Sequence, residues 1–343
     1  MKYLFLIILP VMCLGIITGC QRQLELPSYI KVSPRVVMYS ELVANEKPEV
    51  RVGKSKPVMP GMNNNFELVA NAEVKLLDKN GKELETLEYV KDSSNVMSVY
   101  RGQTTLLAGR TYKLQTRIPD MKPVTGNTTI PTSFRVELLD TLRSLLNGRP
   151  VLRFHFSITT APNVRQYIVM EALKQSATVD TSFSYQGRRY RKSQNDSLYN
   201  KVKDLPGANP KKDTIYLNDY LRIPCYTQDE NADNNQIGGL NENYNSILFT
   251  QYGRPLETNF YINAIALSSN PTEAIAPVGR VLVYVKSVSK EYYDFLMTYE
   301  KVKRNPGLNS LIQAIQLRSN TQNGLGVVGG VYEKVYYLYY DSL

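Results

Sequence analysis

Two stretches of strict alternation constrain this chain most. Tyr112, Leu114, Thr116 and Ile118 alternate with Lys113, Gln115 and Arg117, and Leu152, Phe154, Phe156 and Ile158 alternate with Arg153, His155 and Ser157. Successive side chains of a strand point to opposite faces, so a period of two lays one apolar face on a core and leaves the other wet. No helix satisfies that pattern. A hairpin is expected where Val74–Leu77 and Glu83–Leu87 flank Asp78–Lys82, because Asn80-Gly81 can supply the positive φ angles of a tight turn. Gly109 marks the turn into the strand at Tyr112, and Ile130-Pro131-Thr132 closes the segment. Short strands at this spacing predict an immunoglobulin-like β-sandwich over residues 31–131.

Residues 132–343 read as a second β-rich domain, with further strands at Phe260–Leu267, Val281–Ser289 and Val331–Tyr340. Two short helices are expected near its end. Tyr292, Phe295, Leu296 and Tyr299 follow helical spacing behind Ser289 as N-cap, and Leu308, Leu311, Ile312 and Ile315 repeat it after Pro306-Gly307. Residues 176–213 and 225–246 are polar and read as long surface loops. The fold class is therefore mainly β: an N-terminal immunoglobulin-like sandwich plus a C-terminal β-rich domain with two short helices. The 25 Tyr and absent Trp suit strands and amphipathic surfaces.

The N-terminus reads as an export signal. Lys2 precedes an uncharged run, Tyr3–Gly19, that is short for a spanning helix and is interrupted by Pro10. It ends at Ile17-Thr18-Gly19-Cys20, which resembles a bacterial lipobox. Residues 1–19 are expected to be a lipoprotein signal peptide, and residues 20–30 a tether lipidated at Cys20. A buried methylene contributes about 0.8 kcal/mol and one chain holds a protein only marginally, so two or three acyl chains of the palmitate kind make a durable anchor. Loss of residues 1–19 takes Cys13 and Lys2, leaves Cys225 as the single free thiol, and lowers the formal charge from +10 to +9. No intramolecular disulfide is then available, so an apolar core must supply the stability. The positive charge suits an anionic membrane surface or an acidic ligand; no nucleic-acid module is readable.

Constellations with chemical meaning are few. Gly324-Leu325-Gly326-Val327-Val328-Gly329 fits a dinucleotide fingerprint, but a helical pattern precedes it and a Tyr-rich strand follows, so it reads as a tight structural turn. His155 is the only histidine and shares its strand face with Arg153 and Ser157, not a ligand pair. Cys225 reads as a small buried hydrophobe. Asp229, Asn231, Asp233 and Asn235 alternate oxygens as calcium loops do, yet Asn234 and Leu240 stand where such a loop wants Gly and Glu. No catalytic residue, metal ligand or cofactor is expected. The sharpest cluster is Arg188, Arg189, Arg191 and Lys192, a candidate contact for an anion such as lipopolysaccharide phosphate, or for a protein partner. Tyr336, Tyr337, Tyr339 and Tyr340 put aromatics on both faces of the last strand; one face is core, and for the other, packing within this protein is the default reading and stacking on sugar rings or a partner the alternative.

Several blocks together carry a family likeness: Leu24-Glu25-Leu26-Pro27 after the lipobox, Ala72-Glu73-Val74, Asn80-Gly81, Gly109–Tyr112, Ser287–Leu296 and Asn323–Gly330. On these the chain resembles a family of Bacteroidota outer-membrane lipoproteins known as domain of unknown function 4249. Val328 stands where the family pattern has an aromatic, the first strands lack a Trp, and the tether has one acid where several are usual. The resemblance supplies no catalytic residues. It implies an accessory role beside a TonB-dependent transporter in nutrient uptake. The expected function is a non-enzymatic, lipid-anchored outer-membrane binding or accessory protein, in either leaflet. The alternative is an adhesin or fimbria-like structural lipoprotein, and a hydrolase built on carboxylates alone is the enzyme-class rival.

Overall fold

The computed structural model describes residues 33–56, 69–91, 98–160, 163–240, 242–264, 279–304 and 317–339. The chain is mainly β, with large sheets and, among the described residues, two short α-helices. The first seven strands are β1 Val36–Val43, β2 Glu49–Lys54, β3 Glu73–Asp78, β4 Glu83–Val90, β5 Ser98–Arg101, β6 Thr111–Arg117 and β7 Val124–Thr129. β4 pairs with β3 through its first residues and with β5 through Glu88–Val90, so the sheet folds over on itself. Val36, Met38, Val52, Val74, Leu76, Tyr100, Tyr112 and Leu114 meet in the core between the layers. The alternation at Tyr112, Leu114, Thr116 and Ile118 is buried as expected. At the β3–β4 turn only Gly81 takes a positive φ; the Asp78 carboxylate organises the rest by accepting the backbone N–H groups of Asn80 and Lys82.

The remaining elements are β8 Arg135–Leu146, β9 Arg149–Thr159, β10 Arg165–Tyr185, β11 Arg188–Arg191, α1 Asp196–Val202, β12 Lys211–Tyr216, β13 Leu221–Ile223, β14 Cys225–Thr227, β15 Ile247–Tyr252, β16 Leu256–Asn263, β17 Gly279–Val288, α2 Lys290–Arg304, β18 Thr321–Gln322 and β19 Leu325–Tyr339. A four-stranded sheet, β14-β16-β9-β8, packs on β10 and β17. The second core lies between them, around Phe154, Phe156, Ile158, Phe260, Ile168, Met170 and Val283.

β19 joins the two cores. Its residues 331–339 pair antiparallel with β17, and its residues 325–331 pair parallel with β1. Tyr332 packs against both cores. Among the described residues, the last strand thus returns to lie beside the first. α2 follows β17 and lies across this junction. The Ser289 carbonyl accepts its first intrahelical bond from Tyr293, while the Ser289 hydroxyl accepts the N–H of Gly330 on β19. The expected N-cap therefore also ties the helix to the sheet.

Three expectations need correction. Residues 176–213 are not a loop: they include the end of β10, all of β11 and α1, and the start of β12, and residues 225–246 begin with β14. Over 176–213 polar composition misled because the largely exposed strands β11 and β12 need few apolar residues, whereas β14 is a short buried strand at the head of a mostly irregular segment. The block 324–330 is mostly strand rather than turn. Its glycines answer to close packing: a Cβ on Gly326 (φ 112°) would collide with the Met38 carbonyl of β1, and one on Gly329 with the Tyr292 ring of α2. The last strand consequently starts at Leu325. The helix proposed around Leu308–Ile315 lies outside the described residues.

Because Gly326 combines a left-handed φ with a backbone neighbour, Gly326→Val should cost roughly 1–3 kcal/mol of folding stability. Urea denaturation measures this. A variant as stable as wild type would show that β19 can shift away from β1.

Candidate functional site

Past Ser176 the long strand β10 leaves β17 and projects beyond the main sheet. There it is flanked by β11 on one side and β12 on the other. Residues 177–216 form a flap with a small core of its own. Phe183 stacks on Tyr190 at 5.8 Å and meets Tyr199 of α1 edge-on at 5.3 Å, with Val202 and Ala208 buried beside them. Eight Lys or Arg and four Asp lie in this flap, so it carries +4 of the chain's +10.

Strand alternation splits the four cations expected to act together. Arg191 pairs across to Ser182 and Arg189 to Ser184, which places these two on one face. Arg188 pairs with Tyr185 on the opposite face, and Lys192 turns away to Asp196 at 3.8 Å and over the Tyr199 ring. Lys211, distant in sequence, joins the first face because it is also opposite Ser182, from the other side. Arg189, Arg191 and Lys211 line an open concavity of about 720 Å³ together with Ser182 and Asp213. Arg189 donates to Ser182 Oγ at 2.7 Å and to Asp213 Oδ2 at 3.0 Å. Hydrogen bonding from Ser182, reinforced by Arg189, lowers the Asp213 carboxyl below its usual range; Ser193 does the same for Asp180. Arg191 and Lys211 are exposed. The flap thus presents an aligned cationic surface that is partly neutralised by two aspartates.

A second constellation lies beneath α2, where β1, β19, β17 and β10 run side by side. Lys286 is surrounded by Glu171 at 2.6 Å, Glu41 at 3.3 Å and Glu333 at 3.6 Å. Arg222 of β13 bonds Glu171. Glu41 also accepts the hydroxyls of Tyr292 at 2.6 Å and Tyr39 at 2.7 Å. Burial opposes ionisation of Glu41, but the Lys286 ammonium and the two tyrosine hydroxyls outweigh it and hold the carboxyl at about 2. Burial likewise opposes Glu171, where Lys286 and Arg222 prevail and the carboxyl is lowered. The Lys286 ammonium is desolvated too, yet its three carboxylates push it well above its ordinary value. Sequence reasoning passed over this seam. Its signal was present, since Glu41, Glu171 and Lys286 each interrupt a run of apolar strand residues.

The other sequence-level candidates fall apart as sites. The His155 ring nitrogens face Glu257 at 2.9 Å and Asp140 at 3.6 Å rather than a hydroxyl or thiol. Cys225 is fully buried, and desolvation pushes its thiol up. Asp229 accepts the Asn231 N–H and the Asn235 amide donates to two carbonyls, which braces the loop, while Asp233 accepts from Thr250 of β15 and Tyr293 of α2 and ties the loop to them. No group of three or more His, Cys, Asp or Glu able to hold a metal occurs among the described residues. On β19, Tyr336 packs on Phe156, whereas Tyr337 stands half exposed with Arg280 stacked over it at 4.5 Å. Cys20 and Tyr340 lie outside the described residues. The motif Gly324–Gly329 lies almost entirely within strand β19, which continues to Tyr339 where the fingerprint needs a helix.

The profile of the family described as "Domain of unknown function (DUF4249)" matches residues 23–336, nearly the whole chain. The chain belongs to this family. As a DUF4249 member it carries both constellations, flap and seam, inside the matched region. No curated protein matches. The solved structure of the Enterococcus faecalis MSCRAMM ACE, described as binding its ligands by the collagen Hug model, aligns over 86% of this chain and 96% of that one, at 7% identity and a TM-score of 0.14. That likeness carries no argument.

Removing Lys286 leaves the buried Glu171 and the partly buried Glu41 and Glu333 without their shared cation. Lys286→Met should therefore cost about 3–5 kcal/mol, and Lys286→Met combined with Glu41→Gln and Glu171→Gln should recover most of it. Urea denaturation of the two variants checks this. Equal losses would mean that packing, not charge, holds the seam.

Proposed function

We propose that this protein is a lipid-anchored outer-membrane binding or accessory protein that works beside a TonB-dependent transporter, with the flap as its contact surface. The observation that carries the reading is the projecting strand β10, which holds Arg189, Arg191 and Lys211 in line on one face of a three-stranded extension. A core of its own around Phe183 keeps this surface rigid at little ordering cost on binding. An exposed cationic surface of this kind attracts acidic transporter loops or an anionic ligand, and rim charges mainly set association rate and salt sensitivity. The anchor at Cys20 supports the location through the Ile17–Cys20 lipobox. It confines the flap to one membrane, which raises its effective concentration toward a neighbour there.

Two arms test this. Cys20→Ala should release the protein from outer membranes or stall its processing; normal cleavage and continued membrane fractionation would remove the anchor. The native protein, cross-linked and extracted in mild detergent, should co-purify with a TonB-dependent transporter. Raising salt to about 1 M, where screening acts within ~3 Å, should weaken that association, as should Arg189→Glu with Arg191→Glu and Lys211→Glu. Association indifferent to both would keep the partner and remove the flap from the interface. Absence of any transporter would remove the proposal and leave the adhesin reading ahead.

A further inference from the structure

The seam beneath α2 holds an unequal count of charges. Lys286 and Arg222 face Glu41, Glu171 and Glu333. Two cations cannot balance three carboxylates, and the Arg222 side chain is 45% exposed, so the excess falls around the buried Lys286 and Glu171, where unbalanced charge is costly and a carboxyl neutralises instead. The geometry singles out the odd member. Glu171 is bonded by both Lys286 and Arg222, and Glu41 by Lys286 and two tyrosine hydroxyls. Glu333 has only the longest of the three Lys286 contacts, at 3.6 Å, with its side chain 16% exposed.

We propose that Glu333 carries an exchangeable proton that sets how tightly the seam is closed: protonated, it leaves Lys286 and Arg222 balanced by Glu41 and Glu171, and ionised, it puts a third negative charge between β19 and β1. The groups that face it come from every neighbouring element. Lys286 and Tyr284 on β17, Glu41 on β1, Glu46 in the turn after it and Glu171 on β10 act on it directly, while Arg222 on β13, Tyr39 on β1 and Tyr292 on α2 act through Glu171 and Glu41. Burial pushes the Glu333 carboxyl above its ordinary range against the opposing pull of Lys286, and Glu46, Glu41 and Glu171 push the same way. A carboxyl raised in the folded state contributes stability that is fully present below its unfolded value of 4.5 and lost as pH rises through the folded value. Glu41 and Glu171, both lowered, contribute stability that is present above that value and lost as pH falls through their folded ones. The seam is therefore tightest in mildly acidic solution and loosens toward alkaline pH. Because β19 is hydrogen-bonded to β1 on one side and β17 on the other, this one proton acts on the joint between the two cores.

The test is the thermal stability of Glu333→Gln, a neutral mimic of the protonated group, followed against pH. It should unfold with wild type at about pH 4 and roughly 2–4 °C above it at about pH 8. Amide exchange in Val36–Val43 and Leu325–Val331, corrected for its intrinsic pH dependence, should accelerate with pH in wild type and stay level in the variant. A variant equal to wild type at every pH, or less stable at about pH 8, overturns the proposal. In the wild-type protein, carbon-13 NMR of the Glu333 carboxyl gives an independent reading: a midpoint above the ordinary carboxylate range is expected, and one at or below it overturns the assignment.

Discussion

The hydrogen bonding of β19 to β1 and to β17 is the contact on which the rest of the molecule depends. A strand of 15 residues spends its first half in parallel register with the start of the chain and its second half antiparallel to β17. Parallel neighbours cannot be joined by a tight turn, so this pairing has to be made across almost the whole sequence. Loop closure over such a separation is entropically unfavourable, and side-chain contacts must offset it. Val327, Val331 and Val328 supply apolar burial there, and the absence of Cβ atoms at Gly326 and Gly329 lets β1 and α2 approach. Once β19 is in place, Tyr332 touches both cores and Ser289 fastens α2 over the junction.

Polar groups at the same junction add direction to what apolar packing alone would leave loose. A valine row can slide; Lys286 within reach of Glu41, Glu171 and Glu333 cannot do so without stranding charge. Placing those groups on four neighbouring strands fixes register across β1, β19, β17 and β10. The flap is the opposite case. It is tied to the body through the continuous strand β10 and through Tyr216 at the end of β12, which packs on Arg280 and Tyr339, and its small aromatic core keeps it folded while its charges stay in water. Rigid seam and projecting flap together describe a scaffold that holds one charged surface away from its own body.

Much of this was legible locally. Period-two alternation located β6 and β9, helical spacing located α2, and the DUF4249 likeness covered the chain. What was not legible depended on pairing across long separations. Arg188, Arg189, Arg191 and Lys192 look like one cluster as text, yet a strand sends neighbours to opposite faces, and the partner that completes the surface, Lys211, arrives from β12. Gly324–Gly330 read as a turn because glycine usually answers to backbone angles; here most of the block answers to a helix and a strand brought from elsewhere. The seam was hidden for the same reason: lone charges in apolar strands announce a buried partner without naming it.

If β19 makes one cooperative unit of two cores, their unfolding must coincide. Pulse-labelled hydrogen exchange across a urea series, read by mass spectrometry at Thr111–Arg117 and Val151–Thr159, measures this directly. The account predicts a single shared midpoint for both segments. Loss of protection in one segment at a urea concentration where the other remains fully protected would contradict it.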